Sequence, residues 1–176
     1  IDGGAAVAEV LGTSTVTAAA RSLTAAAEVL LAGGLRIAEY EARHGAHGTL
    51  TRMSIVAMGR LGGRELGYGS DADVLFVHDP LPGVDEAQAQ AQAVAIAARV
   101  RSLLGDVGPE PSLEVDADLR PEGRNGPLVR TLASYVEYYQ RWSAPWESQA
   151  LLRARPVAGD AGLGARFVAL VDPLRY

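Results

Sequence analysis

The sequence predicts an α/β (α+β) domain: a small mixed sheet with flanking helices, followed by a C-terminal helical segment. Three observations carry that expectation. Alanine-rich stretches with apolar residues every three or four positions read as helices. Short apolar runs at 53–58 and 74–77, bounded by glycine and proline, read as buried strands. Residues 112–119 alternate apolar and mostly acidic side chains, as a half-buried strand requires.

Taken in order, residues 13 to about 31 carry Val16, Ala20, Leu23, Ala27, Leu30 and Leu31 at helical spacing, and Gly33-Gly34 is expected to close that helix. A second helical stretch over 35–43 runs into the loop sequence HGAHGT. The strand at 53–58 leads straight into the glycine-rich segment GRLGGRELGYGSDADVLFV of residues 59–77, which ends in the second strand. LPGVD closes that strand, and an alanine- and glutamine-rich helix spans 85–104. In the next strand Leu113, Val115, Ala117 and Leu119 share one face, and Glu114, Asp116 and Asp118 the other. Beyond PEGRNGP, helices are expected over 131–142, 144–154 and 163–170, with Pro156 and Gly159 as stops. This order divides the chain into an N-terminal helical segment (1–50), a core (51–130) and the start of a C-terminal helical segment (131–176).

Composition removes several classes of function. The chain has 176 residues and no cysteine, which excludes disulfides and thiolate metal sites and fits the cytoplasm. All 16 basic residues are arginine, so there is no lysine for Schiff-base chemistry or for a Walker loop. A net charge of −5 without a basic run argues against nucleic-acid or anionic-membrane binding. No apolar run reaches the roughly 18–20 residues of a membrane helix. The chain starts at Ile1 without a secretory leader and is expected to be a fragment of a larger protein.

Chemistry concentrates at Asp71 and Asp73. In an extended strand both carboxylates project from one face about 7 Å apart, where their repulsion calls for a cation. With oxygen donors alone, hard Mg²⁺ or Mn²⁺ is the natural choice. The acidic face of 112–119 supplies a third carboxylate if the strands are adjacent. Gly59, Gly62, Gly63, Gly67 and Gly69 permit close approach of a phosphate or positive φ, and Gly69-Ser70 offers amide and hydroxyl donors to phosphate oxygens. Together these parts suit phosphoryl or nucleotidyl transfer.

Gly59, eleven residues and then Asp71-x-Asp73 resembles the signature of the nucleotidyltransferase superfamily, with its DNA polymerase β-like palm. More narrowly, MGRLGGRELGYGSDADVLFVHD, EVDADLRPEGRNGPLV and WESQALLRARPVAGD together resemble glutamine synthetase adenylyltransferase, also called the adenylyl-removing enzyme. The likeness covers about residues 53–160. It implies Asp71, Asp73 and Asp116 as catalytic metal carboxylates, Gly69 and Ser70 near the triphosphate, and Arg120 near phosphate or the carboxylates. It implies ATP as substrate, Mg²⁺ or Mn²⁺ as cofactor, glutamine synthetase as protein substrate and, in the full-length enzyme, a nitrogen-signalling regulatory protein. ELGYGSD, FVHD and WESQALLRARPVAGD look more like the C-terminal, AMP-attaching domain than the AMP-removing one, so the implied role is regulation of nitrogen assimilation by attachment. Phosphorolytic removal of AMP and a non-catalytic module that binds glutamine synthetase or a signalling protein are the alternatives.

Glu147, Arg153 and Arg155 lie in the third block and read as supporting or structural charges. His44 and His47 are three apart, but Gly45 and Gly48 make a loop rather than a helical metal pair. His78 reads as a packing or capping residue at a strand end. Tyr135, Tyr138, Tyr139, Trp142 and Trp146 recur at helical spacing and read as core.

Overall fold

The computed structural model describes residues 16–105, 112–141 and 145–175. The first element among the described residues is helix α1, Val16–Arg43, which runs unbroken through Gly33-Gly34 and so merges the two expected helices. The buried stripe Ala19, Leu23, Ala27, Leu31, Leu35 and Ala38 continues in phase across the glycines, and packing along it outweighs their poor helix propensity. By length and composition alone α1 could cross a membrane, but here that stripe packs on the sheet and on a second long helix. The HGAHGT sequence forms the loop after it.

Strand β1 (Thr51–Ala57) is followed by the four-residue helix α2 (Gly59–Gly62) and strand β2 (Ala72–Pro80). Helix α3 (Glu86–Gly105) leads to the two-residue strand β3 (Val115–Asp116). A 3₁₀ turn at Gly123–Asn125 precedes strand β4 (Val129–Thr131), helix α4 (Leu132–Arg141) and helix α5 (Pro145–Leu151). Strand β5 (Arg155–Gly159), helix α6 (Ala161–Val171) and a 3₁₀ turn at Asp172–Leu174 complete the order.

The sheet runs β3-β2-β1-β5, and β4 also pairs with β2. The β1–β2 and β1–β5 pairs are antiparallel, whereas β3 and β4 lie parallel to β2 at successive stretches of one edge. The sheet is therefore mixed, as expected. Both of its faces are covered, which explains why β1 and β2 are near-continuous apolar runs. Met53, Ile55, Ala57, Ala72, Val74 and Phe76 meet α1 and α3, while Val56, Leu75 and Val77 meet Tyr135, Tyr139, Leu163 and Phe167 of α4 and α6.

Three expectations are corrected. The ladder at 112–119 shrinks to two residues, although the alternation holds in burial: Leu113, Val115 and Ala117 are buried and the acidic positions between them are not. Strand β4 was not expected at all. Pro156 and Gly159, read as helix stops, belong to β5; Pro156 is tolerated because, among the described residues, β5 pairs only with β1, through a register shift opposite Ile55 and Val56.

Tyr135 and Tyr139 are buried as expected, with Tyr135 edge-on to Phe167 at 5.0 Å between ring centroids. Trp146 is exposed, contrary to the core reading, and Trp142 lies outside the described residues. His78 is fully buried within β2, between Thr51 and Gln90.

Candidate active site

Side chains alternate along a strand, so Asp73 shares a sheet face with Leu75 and Val77, and Asp71 just outside β2 has the same parity. Asp73 stands directly opposite Asp116 in the parallel β2–β3 register. Adjacent strands lie about 4.8 Å apart, which brings the two carboxylates into one site. Asp73 is half-buried, and its pKa is raised, first by burial, then by the charges of Asp116 and Asp71, against an opposing pull from Arg60. Asp71 is exposed. Among the described residues no three carboxylate or imidazole groups converge tightly enough to hold an ion as they stand.

The turn between β1 and α2 is built around Asp73. Met58 N–H donates to the Asp73 carbonyl at 2.8 Å, and Gly59 adopts the left-handed φ of 49°. A Cβ at Gly59 would fall on Asp73 Oδ2, so only glycine leaves room for the carboxylate. Arg60, absent from the sequence-derived set, is the cation acting on Asp73; no feature of the sequence separates it from the other arginines.

Residues 67–70 form a tight turn. Ser70 N–H donates to Gly67 O at 3.2 Å, and Gly69, at φ 67°, occupies the third position, where type II turns demand a positive φ. A Cβ on Gly69 would meet nothing within 4 Å. The Ser70 amide is thus committed to the turn and its Oγ lies over Gly67, 3.1 Å from where a Cβ there would stand, while the space beside Gly69 is open. Gly62 and Gly63 serve a different purpose from phosphate approach: added Cβ atoms would strike the Arg153 carbonyl and the Arg153 side chain.

Arg120 is engaged by its own loop. It donates to Ala117 O at 2.9 Å, Arg124 O at 3.0 Å and Gly126 O at 3.0 Å, and pairs with Asp118 at 3.2 Å. Asp118 is also held by Arg124, and these hydrogen bonds, Arg124's first, lower its pKa. Asp116 lacks such a partner: its Oδ1 accepts only the Asp118 amide, at 2.7 Å, among the described contacts. The two acidic positions that parity could not separate are therefore distinguished by their partners. A cavity of about 250 Å³ lined by Arg101, Glu114, Asp116, Asp118 and Arg124 opens beside them.

In the third block, Glu147 is buried and accepts from Tyr138 Oη at 2.7 Å. Arg153 pairs with Glu65, and Arg155 with Glu28. His44 and His47 lie in the loop after α1, with His44 Nδ1 2.8 Å from Tyr40 O.

Comparison with known proteins finds that the family model described as glutamate-ammonia ligase adenylyltransferase matches residues 4–170. The chain is 52% identical over 169 residues to the bifunctional glutamine synthetase adenylyltransferase/adenylyl-removing enzyme of Mycobacterium tuberculosis (strain ATCC 25618 / H37Rv), covering 96% of this chain and 17% of that protein. The Streptomyces avermitilis protein of the same name is 57% identical over 162 residues, 92% of this chain and 16% of its own length. That of Mycobacterium avium (strain 104) is 61% identical over 124 residues, 70% of this chain and 12% of its own. The chain thus spans less than a fifth of the length of these relatives.

Proposed function

The chain belongs to the glutamate-ammonia ligase adenylyltransferase family, and from that premise we propose that it is an adenylyl-transfer domain that moves AMP from ATP to a tyrosine of glutamine synthetase. The observation that carries this reading is the register pairing of Asp73 with Asp116 beneath Gly59. Two carboxylates on one sheet face, with a raised Asp73 pKa and an all-oxygen donor set, suit a hard divalent cation. Asp71, exposed at the start of the same strand, would complete the set. A bound Mg²⁺ or Mn²⁺ supplies charge neutralisation at the phosphates and a lowered pKa for a coordinated hydroxyl.

In the proposed reaction the tyrosine oxygen bonds to the α-phosphorus of ATP, the bond from that phosphorus to the bridging oxygen breaks, and pyrophosphate leaves. The tyrosine proton passes to a base. A phenol of pKa about 10 is otherwise a poor nucleophile at neutral pH, and a carboxylate of the cluster would serve as the base that accepts its proton. Gly69 and the Ser70 hydroxyl would meet phosphate oxygens. Arg60, already acting on Asp73, would balance their charge. Arg120 would serve by fixing the 117–126 loop behind Asp116. A nitrogen-signalling regulatory protein is proposed as a partner of the full-length enzyme, and the cytoplasm as its place of action.

The test is the intact mass of glutamine synthetase after incubation with the full-length enzyme, ATP and Mg²⁺, beside Asp73→Asn and Asp71→Asn variants. An AMP adduct formed only by the parent supports attachment at this site. Loss of AMP from modified synthetase on addition of phosphate, abolished by the same substitutions, would instead assign the domain to phosphorolytic removal. Undiminished activity of both variants would end the assignment and leave a binding module.

A further inference from the structure

The glycine-rich segment is gripped from behind by one side chain. Arg155, on β5, donates through Nε to Gly62 O at 3.3 Å and through Nη2 to Leu61 O at 3.2 Å, the last carbonyls of α2. The same Nη2 reaches Glu28 Oε1 of α1 at 2.6 Å. The Gly59, Arg60 and Leu61 carbonyls accept the amides of Gly63, Glu65 and Arg64, whereas the Gly62 carbonyl accepts from Arg155, and a cation at that end also suits the helix dipole. Arg155 lies opposite Ala57 in the β1–β5 register, at the end of the strand from which α2 departs.

The approach is close on every side. Gly62 has no room for a Cβ against Arg153 O, with Ala57 O only 2.9 Å from the position it would take, and a Cβ at Gly63 would stand 2.9 Å from Arg153 Cδ. The other end of α2 carries Gly59, packed on the Asp73 carboxylate, and Arg60, whose charge acts on it. A fixed chain of contacts therefore runs from Glu28 through Arg155 and α2 to Asp73.

We propose that Arg155, oriented by Glu28, is a positioning residue for the adenylyl-transfer site, setting α2 so that Gly59 clears Asp73 and Arg60 faces it. This rests on the reading of the Asp73 site given above. A partly exposed ion pair contributes little to overall stability, so the pair's placement against α2 carbonyls points to geometry as its purpose. Misplacement of a catalytic constellation by about 1 Å can cost on the order of 10²-fold in rate. Lysine would keep the charge but not the arginine fork, which holds two carbonyls and a carboxylate from one plane.

The experiment uses the full-length enzyme with glutamine synthetase, ATP and Mg²⁺, measuring kcat, both KM values, the melting temperature and hydrogen exchange at 59–65. Arg155→Gln is expected to lower kcat by about tenfold or more, with KM for the synthetase unchanged, the cooperative melt retained and exchange at 62–65 accelerated. Arg155→Lys should recover part of the rate. Glu28→Gln should act in the same direction, and the double variant should be no worse than Arg155→Gln alone, the mark of a coupled pair. Unchanged kcat in Arg155→Gln while Asp73→Asn is inactive would overturn the proposal, as would a loss of rate with exchange at 62–65 unaltered. Full activity in Asp73→Asn would instead overturn the site assignment, and the exchange data would then decide the brace on their own.

Discussion

Gly59 and the Asp73 carboxylate fill one narrow turn between them, and the side chain that Gly59 lacks is what lets the carboxylate sit there. The left-handed φ of 49° adds a second demand for glycine. In that conformation a side chain costs about 1–2 kcal/mol before any clash is counted.

Gly59→Ala is therefore expected to cut adenylyl transfer by on the order of 10²-fold, while the protein still melts cooperatively at a somewhat lower temperature. Steady-state kinetics beside a melting curve check this. Full activity would mean that the turn can move aside without disturbing Asp73.

Asp73 itself predicts a conflict between stability and activity. Its pKa is raised in the fold, so the folded chain holds the proton more tightly than the unfolded chain, and the ionised group at neutral pH works against folding. Asp73→Asn should abolish transfer yet modestly raise the melting temperature at pH 7 in chelator. That gain should shrink as pH falls through the raised value and vanish below the ordinary 3.8, where the parent's carboxyl is neutral in both states. Melting curves across that range, without divalent cation, provide the measurement.

His78 predicts the opposite slope. Its Nε2 lies 2.7 Å from Gln90 Oε1, whose amide nitrogen is committed to Val129 O at 3.0 Å, and its Nδ1 lies 3.0 Å from Thr51 Oγ1. Burial pushes the pKa below the usual 6.5, outweighing the Gln90 hydrogen bond and the Asp79 charge. As pH falls the unfolded chain takes the proton first, so stability is full above 6.5 and is lost between 6.5 and the depressed value. His78→Gln should remove that slope from a plot of unfolding free energy against pH, even if it lowers stability at pH 8.

Gly33 offers a gain. It lies within the continuous α1, and a Cβ there would meet nothing within 4 Å. Gly33→Ala should stabilise the protein by about 0.5–1 kcal/mol, the ordinary cost of glycine inside a helix. Chemical denaturation would read this as a higher midpoint at unchanged slope.

Gly33-Gly34 also shows where the sequence misleads. A glycine pair is a local stop signal, but Leu31, Leu35 and Ala38 keep their phase across it and are buried, so tertiary packing decides. Strands β1 and β2 were legible because two covered faces demand unbroken apolar runs. Strands β4 and β5 were not, since three residues show no period and a proline in an edge strand looks like a stop. At the candidate site, strand parity put Asp71 and Asp73 on one face and left Asp116 and Asp118 together on another strand's; the family resemblance singled out Asp116, and the β2–β3 register sets it opposite Asp73. Arg60 stayed hidden, and Arg155 was legible only as a supporting or structural charge, because Asp73, Leu61, Gly62 and Glu28 come from other elements, and a charge with distant partners reads locally as a solvated one.

The sheet also implies an order of assembly. β1 and β2 are separated only by residues 58–71, whereas β3 and β4 reach the free edge of β2 only after α3 has folded back, and β5 reaches β1 later still along the chain. A chain still being synthesised carries Asp71 and Asp73 before Asp116 exists to face them. The cluster is completed by long-range closure, so an unfinished or half-folded chain carries its carboxylates without the register that brings them together.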